Sequence, residues 1–172
     1  MDRRLQRIRL LATDVDGVLT DGGMYYSETG DELKKFNTRD GMGLKLLQRA
    51  GLITALITQE ETKLVSRRGE KLAIPEVHQG TYDKLAVLQA IVAKHGLTLA
   101  EAAYLGDDVN DLAALKAAGF SACPADALSP VRKVVRYICR KKGGEGAVRE
   151  VADLILGARG LTGEELLVKR RS

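Results

Sequence analysis

Short apolar runs alternate along this chain with segments of helical pattern, each about ten residues long. No other feature constrains the fold as strongly. Strands joined through helices run parallel, and a parallel sheet must be covered on both faces. The runs are Ile8 to Ala12, Leu52 to Ile57, a short one at Val77, Ala103 to Leu105, Phe120 to Cys123 and Val134 to Cys139. The helical segments are one around Leu44, Leu46 and Leu47 ending at Gly51, then Glu60 to Leu72 stopped by Pro75, then Asp83 to His95. Thr98 and Glu101 form a capping box. Asp111 to Ala118, closed by Gly119, and Ala147 to Leu156 complete the series. One segment departs from the alternation: Met24 to Tyr26 and Leu33 to Phe36 flank Thr29-Gly30-Asp31, a hairpin signal. The expected fold is α/β, a doubly wound (Rossmann-like), mainly parallel sheet with a small β-hairpin insertion and no cap domain. Residues 1–156 form the domain, with the insertion at about 21–40, and 157–172 read as a tail that is mobile in isolation.

Composition and charge narrow the function classes. With 172 residues, 45% of them hydrophobic and 29% charged, the chain can bury a core. The net charge is +4, but it is concentrated at the termini. Arg3, Arg4 and Arg7 outweigh Asp2, and Arg159, Lys169, Arg170 and Arg171 outweigh Glu164 and Glu165, which leaves residues 8–158 neutral. A nucleic-acid binder carries its basic stripe on the folded body, so no nucleic-acid partner is expected. No run of eighteen apolar residues and no secretory h-region are present, so no membrane partner is expected either. Cys123 and Cys139 read as reduced, packed thiols of a cytoplasmic protein.

In open parallel sheets, ligands bind beyond the carboxyl ends of the strands. Here those ends carry Asp14 and Asp16, then Thr58, then Asp107 and Asp108, with Lys84 at the start of a helix. Four carboxylates in one crevice repel one another, and a hard divalent cation such as Mg²⁺ relieves this. A lysine and a threonine beside them suit phosphoryl oxygens. Asp14 is then the candidate nucleophile, forming an aspartyl-phosphate, and Asp16 the acid and base. Taken singly, each of these residues is an ordinary turn, cap or surface feature. Their placement at successive strand ends is what points to a site.

The segment Asp14-Val15-Asp16-Gly17-Val18-Leu19-Thr20-Asp21-Gly22, together with Thr58, Lys84 and Gly106-Asp107-Asp108-Val109-Asn110-Asp111, resembles the four motifs of the haloacid dehalogenase-like phosphatases. Asn37 to Gly41 and Gly143 to Glu150 resemble a capless branch acting on 3-deoxy-ulosonic sugar acids, either 3-deoxy-D-manno-octulosonate (KDO) 8-phosphate or KDN 9-phosphate. The resemblance implies Mg²⁺ on Asp14, the backbone carbonyl of Asp16 and Asp107, with Asp108 in support. It also implies a homotetramer built on the hairpin, with a neighbouring subunit serving as the lid. The implied substrate-binding positions are Asn37, Thr38, Arg39, Asp40, Gly41, Lys45, Glu60, Arg68 and Lys71, along with Lys84. Glu60, Arg68 and Lys71 together resemble the KDN type more closely, since the KDO type usually carries Arg in place of Glu60 and often Arg in place of Lys45; Glu60 would accept hydrogen bonds from hydroxyls and repel a carboxylate placed close to it.

Three rival readings use the same residues. A receiver domain also has an acceptor Asp, a Thr and a Lys, but no acid at the position of Asp16. A non-catalytic assembly module, like the C-terminal module of acylneuraminate cytidylyltransferase, would not need the full set of motif residues. A sugar phosphomutase would need a cap.

Overall fold

A computed structural model describes residues 2–30 and 32–168 of the chain. Its strands are β1 (Leu10–Thr13), β2 (Tyr25–Tyr26), β3 (Glu32–Leu33), β4 (Ile53–Ile57), β5 (Glu76–His78), β6 (Ala102–Leu105), β7 (Phe120–Cys123) and β8 (Tyr137–Ile138). Its helices are α1 (Thr38–Arg49), α2 (Lys63–Leu72), α3 (Lys84–Lys94), α4 (Leu112–Ala117), α5 (Ser129–Arg132), α6 (Ala147–Ala158) and α7 (Gly163–Val168). Six strands form one sheet in the order β5-β4-β1-β6-β7-β8, every pair parallel. β2 and β3 pair antiparallel as a separate hairpin, with Tyr25 opposite Leu33. The expected doubly wound sheet with a hairpin insertion is therefore present. Between β1 and α1 the described residues hold this hairpin and no cap domain.

Period-two alternation explains the two layers. Leu10 and Ala12, Ala55 and Ile57, and Ala102 and Tyr104 face the side covered by α3 and α4, where Leu88, Ile91 and Leu115 meet them. Leu11, Leu56, Ala103 and Leu105 face the other side, against Leu44 and Leu47 of α1 and Val148, Val151 and Ile155 of α6. Helices α1 and α6 pack closely because position 43 lacks a side chain. A Cβ on Gly43 would stand 3.0 Å from the Arg149 Cα.

The structure corrects several boundaries. Helix α2 starts at Lys63, not Glu60, because Thr62 caps it by accepting from the Val65 amide. Residues 59–61 therefore stay in a loop beside β4. The last strand is only Tyr137–Ile138. The short helix α5 precedes it, and the amides of Val134 and Val135 both bond back to the Val131 carbonyl. The largest correction concerns 157–172. Helix α6 runs on to Ala158, and α7 lies where a mobile tail is expected. Leu166 of α7 is buried in the same core as Leu46, so packing overrides the polar composition of this stretch. Lys169 to Ser172 lie outside the described residues, as does Asp31 of the hairpin turn. Leu166→Ala is expected to cost about 2–3 kcal/mol, read as a lower urea midpoint at unchanged m-value.

At the sheet edge, Glu76 of β5 carries a buried carboxylate that receives Lys94 Nζ at 2.8 Å, His95 Nε2 at 2.7 Å and His78 Nε2 at 3.0 Å. Burial opposes its ionisation, but the hydrogen bonds from Lys94, His95 and His78 outweigh it and bring the carboxyl down to about 2. A carboxyl lowered in the folded state stabilises above its unfolded pKa, and that contribution is lost as pH falls towards the folded value. Glu76→Gln should therefore lower Tm at neutral pH. The gap to wild type should narrow between about pH 4.5 and pH 2, as followed by circular dichroism.

Both thiols are buried and unbonded to each other. Burial pushes Cys123 up to about 11 and Cys139 higher still, so both are inert at neutral pH. Among the described residues no helix is long and apolar enough to cross a membrane.

Candidate active site

Strand order places the site. β1 sits between β4 and β6, so the chain winds in opposite directions on its two sides and leaves a crevice at the carboxyl ends. Thr13 is in register with Leu56 on one side and Leu105 on the other, so the three strands end level. The residues just past each strand therefore converge: Asp14 and Asp16 after β1, Thr58 to Glu60 after β4, Asp107 and Asp108 after β6. These residues, with Lys84 and Asn110, line a crevice of about 170 Å³.

Lys84, the first residue of α3, reaches across with a side chain only 1% exposed. Its Nζ donates to Asp14 Oδ2 at 2.9 Å and Asp111 Oδ1 at 2.8 Å. Burial alone would push this lysine down, but the charges of Asp14 and Asp111 outweigh that and hold it above its usual range. Asp14 also accepts from the Val15 amide at 2.7 Å. Burial first, then the Asp111 charge, push the Asp14 carboxyl up to about 8 against the pull of Lys84. Burial, then Asp111 and Asp108, push Asp107 up to about 7. These are the consequences of crowding acids in a narrow, largely buried crevice, and a cation placed among them would reverse both shifts.

Sequence pattern gives Asp111 a place in its motif but no role of its own; the structure gives it one. It is fully buried, and both its oxygens are occupied. Oδ1 takes Lys84 and the Tyr104 hydroxyl, each at 2.8 Å. Oδ2 takes the amides of Asp107 at 3.0 Å and Asp108 at 3.3 Å. Oxygen atoms of Asp14, Asp107 and Asp111 lie within 4.8 Å of one another and could hold a metal ion. The hydrogen bonds divide their labour. Asp111 is saturated and braces the loop, whereas Asp107 Oδ1 is buried with no hydrogen-bond partner among the described residues. An orphaned carboxylate oxygen beside Asp14 fits a cation ligand. The backbone leaves room for it at Gly17 (φ +78°), where a Cβ would stand 2.1 Å from Asp107 Oδ2.

The proposed sugar-contacting residues divide differently. Glu60 lines the crevice, but on a loop and not on the helix that sequence pattern assigns to it. It is also paired: Lys34 Nζ, from just beyond β3, contacts both Glu60 Oε2 and Asp16 Oδ1. A bare Glu60 repelling a nearby carboxylate is therefore not what the structure contains. Asn37 caps α1 through the Arg39 amide and donates to the Gly144 carbonyl. Asp40 is buried and receives the amides of Gly146 and Arg149, capping α6. Arg68 lies over the Phe36 ring and donates to the Asn37 carbonyl at 2.9 Å, against Gly41. Asn37, Asp40, Gly41 and Arg68 thus knit the start of α1 to α2 and α6. They do not line the crevice, and neither do Thr38, Arg39, Lys45 or Lys71.

A parallel sheet with acids from two strand ends around a buried lysine defines a class, and comparison with known proteins agrees. Residues 50–151 match the model of the haloacid dehalogenase-like hydrolase family. The chain belongs to that family. Its relatives make it a phosphoric monoester hydrolase. It is 42% identical to the 3-deoxy-D-manno-octulosonate 8-phosphate phosphatase KdsC of Yersinia pestis over 90% of this chain and 82% of that one. The 3-deoxy-D-manno-octulosonate 8-phosphate phosphatase of Moraxella catarrhalis, solved with a magnesium ion, a phosphate ion and KDO, superposes with TM-score 0.92 at 40% identity, covering 98% of this chain and 96% of that one. The cobalt-bound enzyme of Haemophilus influenzae superposes with TM-score 0.88 at 38% identity, covering 91% and 92%.

Proposed function

We propose that the chain is a Mg²⁺-dependent phosphatase that releases phosphate from a 3-deoxy-ulosonic sugar acid, KDO 8-phosphate before KDN 9-phosphate. The observation that carries this reading is the convergence of Asp14, Asp107, Thr58 and Lys84 in one crevice, with relatives of that activity about 40% identical over nearly the whole chain. KDO 8-phosphate comes first because the relatives about 40% identical to this chain are KDO 8-phosphate phosphatases.

An oxygen of the Asp14 carboxylate attacks phosphorus, the bond to the sugar oxygen breaks, and an aspartyl-phosphate forms. Lys84 and Thr58 hold the phosphoryl oxygens as charge builds on them. Asp16, partly exposed at the mouth of the crevice, gives its proton to the leaving sugar oxygen. It then takes a proton from the water that attacks the acyl-phosphate, which frees phosphate and restores Asp14. Asp14, the backbone carbonyl of Asp16 and Asp107, with Asp108 beside them, would hold Mg²⁺, whose charge offsets the repulsion between carboxylate and phosphate.

The same reading has the enzyme working in the cytoplasm as a homotetramer joined through the hairpin. Tyr26 and Leu33 stand 70% and 62% exposed there, on a hairpin too small to close over a substrate alone. Steady-state phosphate release on KDO 8-phosphate, KDN 9-phosphate and p-nitrophenyl phosphate tests the assignment, alongside light scattering for mass. The expected result is a tetramer with the highest kcat/KM on KDO 8-phosphate and activity lost to EDTA. Faster release from KDN 9-phosphate would exchange the two sugars. Labelling of one phosphate per chain without turnover would replace the enzyme by a receiver, and tetramers inert on every substrate would mean an assembly module.

A further inference from the structure

Lys34 is a cation of unusual placement. It belongs to the hairpin, whose neighbouring side chains Tyr26 and Leu33 face solvent, yet its own side chain is 1% exposed. The root of the hairpin holds it there through the bridge between Thr20 and Phe36. Its Nζ lies 2.6 Å from Asp16 Oδ1 and also contacts Glu60 Oε2. The two carboxylate side chains keep 30% and 35% exposure. The acids face the crevice and the ammonium is sealed behind them. A lysine ammonium set between two carboxylates keeps its charge.

The crevice determines what passes these groups. At about 170 Å³ it admits a phosphoryl group and little more, well below the volume of an ordinary small-molecule pocket. The body of the substrate must lie outside it, across the rim where Glu60 stands. A sugar acid brings its own carboxylate to that rim, and an uncompensated Glu60 would oppose it.

We propose that Lys34 is a specificity-determining positioning residue: it cancels the charge of Glu60 at the rim and ties that rim to Asp16, so that the crevice accepts a phosphate ester whose leaving group is anionic. It acts through Glu60 and Asp16 and does not itself touch the phosphate. This rests on the proposed sugar-acid substrate. A purely structural lysine would brace the hairpin and treat every substrate alike.

The test compares KDO 8-phosphate with glucose 6-phosphate, which carries no carboxylate, in wild type, Lys34→Met, Lys34→Arg, Glu60→Gln and the Lys34→Met/Glu60→Gln pair. Both carboxylates can take up water when Lys34 is lost, so Lys34→Met is expected to fold, which circular dichroism and a melting curve check. In Lys34→Met, kcat falls on both substrates because Asp16 serves both. KM should rise roughly tenfold or more on KDO 8-phosphate alone. Lys34→Arg should recover most of the loss, and adding Glu60→Gln to Lys34→Met should bring KM back. Glu60→Gln by itself should lower KM for KDO 8-phosphate relative to glucose 6-phosphate, a result independent of whether the methionine variant folds. Equal KM changes on the two substrates, or no rescue by Glu60→Gln, would overturn the role of Lys34. A wild-type enzyme that does not prefer the sugar-acid phosphate would instead overturn the substrate reading, before any variant is measured.

Discussion

Asp14→Asn should abolish turnover, lowering kcat by roughly four or more orders of magnitude while the protein stays folded. The reasons are chemical and geometric. Asparagine keeps the shape, and its one oxygen can still accept either from the Val15 amide, which lies 2.7 Å from Asp14 Oδ1, or from Lys84, which lies 2.9 Å from Oδ2. Its amide oxygen is too weak a nucleophile to displace a sugar alkoxide. The substitution also removes one of three acids crowded within 4.8 Å, so the fold loses repulsion along with one ion pair. Lys84 keeps Asp111 as its counter-ion. Initial rates of phosphate release, a far-ultraviolet spectrum and a melting curve check both halves, and Asp14→Ala repeats the test without an amide that can hydrolyse back to aspartate. An Asp14→Asn protein retaining more than about a hundredth of wild-type activity would remove Asp14 as the covalent residue and point to direct attack by water.

The layout of this site is readable from sequence because strand ends in a parallel sheet coincide in space. Asp14, Thr58, Lys84 and Asp107 lie far apart in the chain, yet β1, β4 and β6 finish level. Apolar runs reveal those strands, and the polar residue ending each run reveals the crevice. The rest depends on contacts that leave no periodic trace. Lys34 looks like one more charged residue on a solvated hairpin, and nothing in the pattern says that it turns inward to Asp16 and Glu60. Glu60 reads as helical because the pattern through Leu72 is continuous, and only the cap at Thr62 excludes it. Asn37, Asp40 and Arg68 carry residue types suited to a sugar, and nothing in the pattern says that they also bond to backbone groups at the start of α1 and α6. α7 is short and polar, and its single buried Leu166 becomes a core residue only once α1 is in place beside it.

Asp111→Asn should be the most damaging substitution among residues that need not touch the substrate. The carboxylate meets four donors, two on each oxygen: Lys84 and Tyr104 on one, the amides of Asp107 and Asp108 on the other. An asparagine offers one oxygen and one NH₂ group. With its oxygen towards Lys84 the NH₂ faces two amide donors, and with its oxygen towards the loop it faces the Lys84 ammonium and a Tyr104 hydroxyl that must turn round to accept, so either pose forms a donor-to-donor contact in a fully buried place. Lys84 is left with Asp14 alone. Breaking a buried ion pair of this kind costs about 3–5 kcal/mol, enough to lower the urea midpoint sharply. The loop also loses the brace that presents Asp107, whose unpartnered oxygen stands ready for a cation. A displacement of about 1 Å there is worth roughly a hundredfold in rate, and Mg²⁺ should be needed at higher concentration to saturate the enzyme. Tyr104→Phe separates the two effects. It removes one neutral donor to Asp111 and keeps the loop amides, so it should cost about 1 kcal/mol with little change in Mg²⁺ dependence. If Asp111→Asn and Tyr104→Phe prove equally mild, Asp111 is not the brace of the loop, and the presentation of Asp107 must come from the β6–β7 backbone itself, where the Gly106 amide already bonds to the Ala122 carbonyl.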